Sequence, residues 1–434
     1  MMPLIDNTVI FFYFLSCTLN AIYYFWVAML LVFPPVYNTY EGQTDIESHD
    51  IYLVIPCLNE EKVISRTIHN ILSMNLKRLF IVAINDHSED DTLKILEGIK
   101  SDRLMIINRE LPNARQGKGE ALNDAYQRIL QDVRQKNLDS DKVIVGIIDA
   151  DTFIKPSLLF RVNQIFHHDK KAGMVQARVR IGISTRDTLL PFLQDIEFFS
   201  YINRMQNVRE YMGTVAAAGN GQFNRLSAME DLGEKPWSKC LLEDFDFSLR
   251  MLLKGWRTRL LQDENVYQQG VISYRKFIRQ RTRWIQGSMQ CFPYIKDIIR
   301  SKPLTVWGKA EILYFLLLPV LSCVSTIVLF VSWLLITTSI INQSTTLFDI
   351  LAGASTFEQT ALLAILLTIV YIPGIVFSIL YWRDTRERFF RCLLAGLIIP
   401  LYNVMQLPAI ILAAYRQLSG QNHWSKTERV NDIE

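Results

Sequence analysis

A run of apolar and small residues, Val143-Ile144-Val145-Gly146-Ile147-Ile148, stops abruptly at Asp149-Ala150-Asp151, and this junction separates the candidate architectures. A strand with one wet face would alternate apolar and polar residues. This one does not, so it reads as a strand buried on both faces, as in a parallel sheet covered by helices. Upstream, Ile51–Pro56 and Leu79–Ile84 are similar short runs, and Leu104–Asn108 is a third. Helical stretches separate them: Glu60–Leu72, then Ser88–Ile99 opened by a serine cap, then Gly119–Gln135. Strands alternating with helices predict a parallel-rich α/β sheet, whose ligands gather at the carboxyl ends of the strands. Asp149 and Asp151 stand at such an end. No internal repeat is visible.

Outward from this region the composition is mixed. The 434 residues are 50% hydrophobic and 21% charged, an uneven blend that suits a soluble domain joined to membrane segments. With Gly at 19 and Pro at 14, disorder and collagen-like repeats are excluded. Lys+Arg 46 against Asp+Glu 43 argues against nucleic acid as a partner, since any basic footprint must be local. The six cysteines show no C-x-x-C pair, which argues against a zinc site or a disulfide framework.

Val9 to Phe33 is a stretch of 25 residues without a charge. As a helix it would span roughly 37 Å, more than the ~30 Å hydrocarbon core, and Pro34-Pro35 ends it. It lacks the basic start of a signal peptide, so an uncleaved anchor is expected. Three further apolar segments lie at about 312–338, 361–382 and 392–415. The loop 339–360 has no Lys or Arg, whereas Arg383, Arg386, Arg388 and Arg391 cluster before the last segment. The positive-inside rule then puts 383–391 and the large middle region on the cytoplasmic side. Three crossings would leave the C-terminus outside unless 387–401 lies flat or re-enters, and Pro400 and Pro408 leave both options standing. The expected organisation is an anchor over 1–40, a cytosolic domain over 41–300 and transmembrane helices with a short tail over 301–434.

Several motifs could carry chemistry. In Asp149-Ala150-Asp151 the outer carboxylates point to one side of an extended chain, about 6–7 Å apart. That arrangement suits a divalent ion shared with phosphates. A single aspartate there would ordinarily be a cap or turn residue. Gln116-Gly117-Lys118-Gly119-Glu120 precedes a helix, so its glycines, cation and helix start could receive an anion, but the spacing is not that of a Walker A loop. A turn with a solvated lysine is the competing interpretation. Asn85-Asp86-His87-Ser88 ends the second strand, Leu242-Glu243-Asp244-Phe245-Asp246 opens a helix, and Gln280-Arg281-Thr282-Arg283-Trp284 sits in a basic stretch.

In order, Pro56-Cys57-Leu58-Asn59-Glu60, Asn85-Asp86, Gly117-Lys118-Gly119, Asp149-Ala150-Asp151, Glu243-Asp244 and Q-R-T-R-W resemble the membrane-embedded family 2 glycosyltransferases. That group comprises cellulose, chitin, hyaluronan and poly-N-acetylglucosamine synthases. The resemblance covers about residues 50–300 and the flanking apolar segments. It implies a GT-A fold using a UDP-sugar with inversion at the anomeric carbon, in a hexosyltransferase. By that similarity Pro56, Asn59, Glu60 and Asp86 would hold the uridine, Lys118 the diphosphate, and Asp149 the nucleotide. Asp151 would ligate Mg²⁺ or Mn²⁺, and Asp244, beside Glu243, would be the general base, with Asp246 its rival. Gln280, Arg283 and Trp284 would bind the pyrophosphate and the acceptor end.

These roles agree with the chemistry: a diphosphate leaving group needs cations, and a sugar hydroxyl needs a carboxylate to take its proton. Leu242 stands where the family commonly has Thr, and Asn85 where it more often has an acid. The run Ala216-Ala217-Ala218-Gly219-Asn220-Gly221-Gln222 loosely resembles the family's glycine-rich acceptor segment. Phe192–Tyr211 and Tyr274–Ile299 mix basic, aromatic and aliphatic residues, the composition of interfacial helices. The residues His423–Arg429 resemble the Trp–Thr–Arg tail of some members.

The expectation is a multi-pass plasma-membrane enzyme, its catalytic domain cytoplasmic, polymerising a β-linked polysaccharide and exporting it. One alternative adds a single sugar to a lipid or other membrane acceptor. A non-catalytic transporter or scaffold is the third, opposed by the intact Asp86, Asp149, Asp151 and Asp244. The partners implied are the UDP-sugar, a polysaccharide or glycolipid acceptor and membrane lipids, with an accessory export or regulatory subunit left open.

Overall fold

The computed structural model describes residues 21–37, 49–74, 76–182, 188–341 and 356–421, with positions 15, 18 and 19. Seven strands form one sheet: β1 (Asp50–Cys57), β2 (Leu79–Asn85), β3 (Leu104–Asn108), β4 (Val143–Ile147), β5 (Ala172–Ile181), β6 (Gln222–Arg225) and β7 (Arg257–Gln268). Their order is β3-β2-β1-β4-β6-β5-β7. The pairs β1–β2, β1–β4, β2–β3 and β5–β7 are parallel; β6 runs against both β4 and β5. The sheet is therefore mixed but parallel-rich, and all five residues of β4 are buried, as its unbroken apolar run requires.

Helices cover both faces. Ile64–Leu72 and Pro156–His168 supply one apolar layer; Lys118–Gln135 and Glu243–Leu253 supply the other. Gly146, in the middle of β4, has a packing reason. A Cβ there would come within 2.7 Å of Leu53 Cδ2 and 2.8 Å of Phe223 Cδ1, so the neighbouring strands' side chains fill the space it leaves. Ser88 does not cap the next helix as expected. That helix starts at Thr92, whose N–H donates to Asp90 Oδ1 at 3.0 Å, while Ser88 Oγ accepts from Asn59 N at 3.0 Å. A tighter Asx turn has taken the helix start, and the serine ties two strand ends together.

The segment Leu189–Ile196, a π-helical stretch Glu197–Ile202 and the helix Asn203–Met212 form one continuous rod. Most of its side chains turn into the domain. Asp195, fully buried, accepts two bonds from Arg180 at 2.9 and 2.8 Å, and Arg209 pairs with Glu311 at 2.6 Å. Leu189 and Tyr211 remain exposed.

The chain divides into two compact units, 34–316 with 411–434, and 1–33 with 317–410. The second unit is helical in its described residues. Most of the expected anchor lies outside the described residues, apart from the short apolar helix Ala21–Val32. Val306–Ile341 and Thr356–Thr385 are helices of 36 and 30 residues, with Pro319 and Pro373 inside them. In the last apolar segment, Phe389–Val404 and Leu407–Leu418 follow each other through a turn, with Pro408 in the first turn of the second helix, where its missing N–H costs nothing. Among the described residues, the run Phe389–Leu418 is long and apolar enough to cross a membrane. A Cβ on Gly374 would stand 2.4 Å from Gly396 O, so these small residues let two helix backbones touch.

Candidate active site

The carboxyl ends of β1, β2 and β4 open onto one cavity, as the strand pattern predicts. Ten of the twelve residues singled out in the sequence line it: Pro56, Glu60, Asp86, Lys118, Asp149, Glu243, Asp244, Gln280, Arg283 and Trp284. Asn59 and Asp151 do not.

Lys118 opens its helix and reaches across the cavity floor. Its Nζ donates to Asp149 Oδ1 at 2.9 Å and to Gly219 O at 3.3 Å. Burial works against the ammonium's charge, but Asp149 and Glu243 outweigh it and push the Lys118 pKa up, so the cation is secure at any physiological pH. The two glycines beside it differ. Gly117 has a φ of +117°, a backbone few side chains tolerate, and nothing crowds it. Gly119 serves packing: a Cβ there would lie 2.5 Å from Ser238 O, so it lets the segment leading to Glu243-Asp244 press against the helix start.

Asp244 sits in the first turn of Glu243–Leu253, its Oδ1 accepting from Phe245 N at 2.8 Å. Gly219, at φ +71°, is pinched between it and Lys118: a Cβ would fall 2.7 Å from Asp244 Oδ2 and 3.5 Å from Lys118 Nζ. Burial, then the neighbouring Glu243, push the Asp244 pKa up to about 7, against the pull of Lys118, the Phe245 N–H and Arg283. A carboxyl poised near neutrality is one that can accept a proton during a reaction. The rival Asp246 is buried and ion-paired to Arg250 at 2.8 Å, and it lies off the cavity.

Asp86 lines the cavity but is engaged from behind. Its Oδ1 accepts from Arg109 Nη1 and from Arg115 N at 3.0 Å, and Arg109 also holds Asp124 at 2.6 Å. Asn59, at φ +54°, faces the other way, accepting from Glu89 N at 2.8 Å and donating its own N–H to Ser88. It is a clasp between the ends of β1 and β2. Glu60 N donates to Thr92 Oγ1 at 2.7 Å.

Asp151 lies just behind the cavity wall, 2% exposed, with Oδ2 accepting from Gln269 N at 2.9 Å. Gln268, beside it, lines the cavity and accepts from Asn220 Nδ2 at 2.8 Å. Asn220 Oδ1 in turn accepts from Asp149 N at 3.2 Å and Thr152 Oγ1 at 3.0 Å. Asn220 thus joins the end of β4, the end of β7 and the glycine-rich loop. Among the described residues no group of three His, Cys, Asp or Glu side chains could cage a metal unaided. Of the two carboxylates expected to share one, Asp149 lines the cavity and Asp151 does not.

Gln280, Arg283 and Trp284 come from one face of the helix Tyr274–Gln290, as their i, i+3, i+4 spacing requires. Arg283 Nε is buried without a hydrogen-bond partner among the described residues, the condition of a cation awaiting an anion. Arg281, which sequence reasoning passed over, braces this face. It pairs with Glu197 at 2.9 Å and stacks over Trp284 at 4.7 Å, while Phe198 meets Trp284 edge-on at 6.2 Å. Arg109, Asn220 and Arg281 were missed because each acts through another side chain. Asn220 and Arg281 stood inside quoted runs without a role of their own, and Arg109 stood just past the third apolar run.

Known proteins resemble this chain in sequence and in fold. The family model described as glycosyltransferase like family 2 matches residues 49–287. The chain is 28% identical over 243 residues to the poly-beta-1,6-N-acetyl-D-glucosamine synthase of Staphylococcus aureus strain COL, covering 56% of this chain and 55% of that protein. It is 28% identical over 244 residues to the probable glycosyltransferase YdaM of Bacillus subtilis strain 168, covering 55% of each. The chain spans about half the length of the curated relatives it matches. Among solved structures, the mannosyltransferase PcManGT of Pyrobaculum calidifontis, in complex with GDP-Man and Mn²⁺, superposes with a TM-score of 0.59 at 17% identity, over 96% of this chain and 99% of that one. That likeness concerns the fold.

Proposed function

Because the chain belongs to the glycosyltransferase-like family 2, it is a glycosyltransferase, and we propose that it transfers a sugar from a UDP-sugar, with inversion, to a growing β-linked polysaccharide. The observation that carries this proposal is the pairing across one cavity of a carboxyl near neutrality, Asp244, with Arg283, whose Nε has no hydrogen-bond partner among the described residues. In the proposed step the acceptor hydroxyl oxygen bonds to the anomeric carbon as the bond from that carbon to the diphosphate oxygen breaks. Asp244 takes the hydroxyl proton. Arg283 and Lys118 receive the charge that develops on the diphosphate, where fixed cations stabilise more than water would. Trp284, braced by Arg281 and Phe198, offers an apolar face to a sugar ring of the acceptor, and Asp86 with Pro56 and Glu60 borders the nucleoside.

A divalent ion, Mg²⁺ or Mn²⁺, would be held at the end of β4 by Asp149, which lines the cavity, with Asp151 behind it. Such an ion takes one or two carboxylates and completes its shell with phosphate oxygens of the donor. When bound it would neutralise diphosphate charge. The apolar helices Val306–Ile341, Thr356–Thr385 and Phe389–Leu418 support a multi-pass location in the plasma membrane with the catalytic domain cytoplasmic and the product passing outward. The similarity to poly-N-acetylglucosamine synthases favours a polymer over a single addition. GDP-Man in the mannosyltransferase makes a guanosine donor the rival worth testing.

The test is purified protein in membranes given radiolabelled UDP-sugars and GDP-mannose, with the product sized and enzymatically digested. A long chain from a UDP-sugar is expected. A product bearing one sugar would overturn the polymerase assignment, and transfer from GDP-mannose alone would overturn the uridine donor.

A further inference from the structure

Cys240 and Cys291 lie 51 residues apart in sequence, with their sulfurs 3.9 Å apart in the fold. Cys291 is fully buried at the end of the helix that carries Gln280, Arg283 and Trp284; Cys240 is partly exposed, two residues before Leu242. We propose that this pair is a modification site, a dithiol that a hydroperoxide converts to a disulfide, and that the bond slows glycosyl transfer.

The chemistry balances with one equivalent of peroxide. The accessible Cys240 sulfur attacks a peroxide oxygen, forming a sulfenic acid and releasing water or an alcohol. The Cys291 sulfur then displaces the hydroxyl as a second water and the S–S bond forms. Two thiols are oxidised and one peroxide is reduced. Contact with Cys240 and burial push the Cys291 thiol up, which keeps it protonated and leaves the first attack to Cys240.

The consequence for activity follows from what surrounds the pair. The chain from Cys240 to Leu242 is stitched to the helix end: Leu241 N donates to Gln290 Oε1 at 2.8 Å, Cys240 Sγ to Gly287 O at 3.3 Å, and Leu242 N to Cys240 Sγ at 3.4 Å. Gly287 already lies so close that a Cβ on it would be 2.4 Å from Leu242 N, so the helix cannot move inward. Closing 3.9 Å to a bonded ~2.05 Å therefore draws on the loop side and removes the Cys240 S–H that donates to Gly287 O. That loop ends in Glu243-Asp244, and an ångström's displacement of a catalytic group can cost on the order of a hundredfold.

The inference rests on the glycosyltransferase reading for its effect, though not for its chemistry. The full chain, purified in detergent, is treated with hydrogen peroxide and digested under non-reducing conditions, with UDP release from UDP-N-acetylglucosamine followed in parallel. A Cys240–Cys291 linked peptide is expected, with turnover lowered at least tenfold and restored by dithiothreitol. Cys240→Ala and, independently, Cys291→Ala should each resist inactivation. Absence of the linked peptide in the unmutated chain overturns the site. A linked peptide with unchanged turnover, or equal inactivation of both variants, overturns the effect on transfer. If that sugar is simply not the donor, untreated protein also releases no UDP; the peptide result then stands alone, and the effect is read with whichever sugar the donor panel finds.

Discussion

The two sides of the cavity are built on opposite electrostatic plans. On the floor, at the ends of β1, β2 and β4, carboxylates are matched by the chain's own cations: Asp86 by Arg109 and Asp149 by Lys118. On the facing wall, made by the start of Glu243–Leu253 and the helix Tyr274–Gln290, the matching is incomplete. Asp244 is held near neutrality beside Glu243, and Arg283 Nε has no hydrogen-bond partner among the described residues. A prepaired floor holds its shape before any ligand arrives, so it can position a nucleotide without reorganising. An incompletely matched wall gains most when a diphosphate and a hydroxyl proton enter, which is where transition-state stabilisation is useful.

The contrast can be broken most severely at Asp244. Asp244→Asn should lower transfer by about 10²–10⁴, while binding of the nucleoside diphosphate, measured by calorimetry, changes little; retained turnover would remove Asp244 from the reaction. Next, Arg283→Ala should cost about 10²–10³ in turnover, and the same truncation at Arg109 should act instead on nucleotide affinity and thermal stability. Equal losses of turnover from the two would erase the distinction between wall and floor. Gly219→Ala, forced to keep φ +71° against Asp244, should reduce transfer by about tenfold and destabilise the fold by about 1 kcal/mol. An alanine variant with full rate would show that the pinch has slack.

The mildest probe is pH. The Asp244 pKa is raised to about 7, so kcat/KM should climb as pH rises through that value and then level off. For stability the sign is opposite. The folded state holds this proton more tightly than the unfolded one, so its contribution falls as pH rises from the unfolded carboxyl range of about 4 toward 7. Asp244→Asn should therefore gain stability over the parent at pH 8 relative to pH 5, as thermal melts would report.

Much of this was legible beforehand because strand ends announce themselves. The apolar runs marked β1, β2, β3 and β4 to within a residue or two, and the polar groups just beyond them supplied the cavity floor. The spacing of Gln280, Arg283 and Trp284 put three side chains on one helix face. Less legible was anything created by pairing across the chain. Nothing in the four residues of β6 says that they run antiparallel between β4 and β5, since the direction is set by neighbours far away in sequence. Asn59 belonged to a motif yet serves as a clasp, and Asp151 sits behind the wall, because a loop's conformation rather than its composition aims its side chains.

The reversed strand has a practical consequence for anyone altering the protein. Since β6 begins beside the end of β4, its entry loop starts at the cavity lining with Gly219, whereas its exit at Arg225 lies beside the start of β4. Beyond that exit, the turn at Gly233 is exposed, with nothing within 4 Å of a side chain placed there. An affinity tag or fluorescent reporter spliced at Gly233 should be carried without touching turnover, while one of the same size before Gln222 should silence the enzyme.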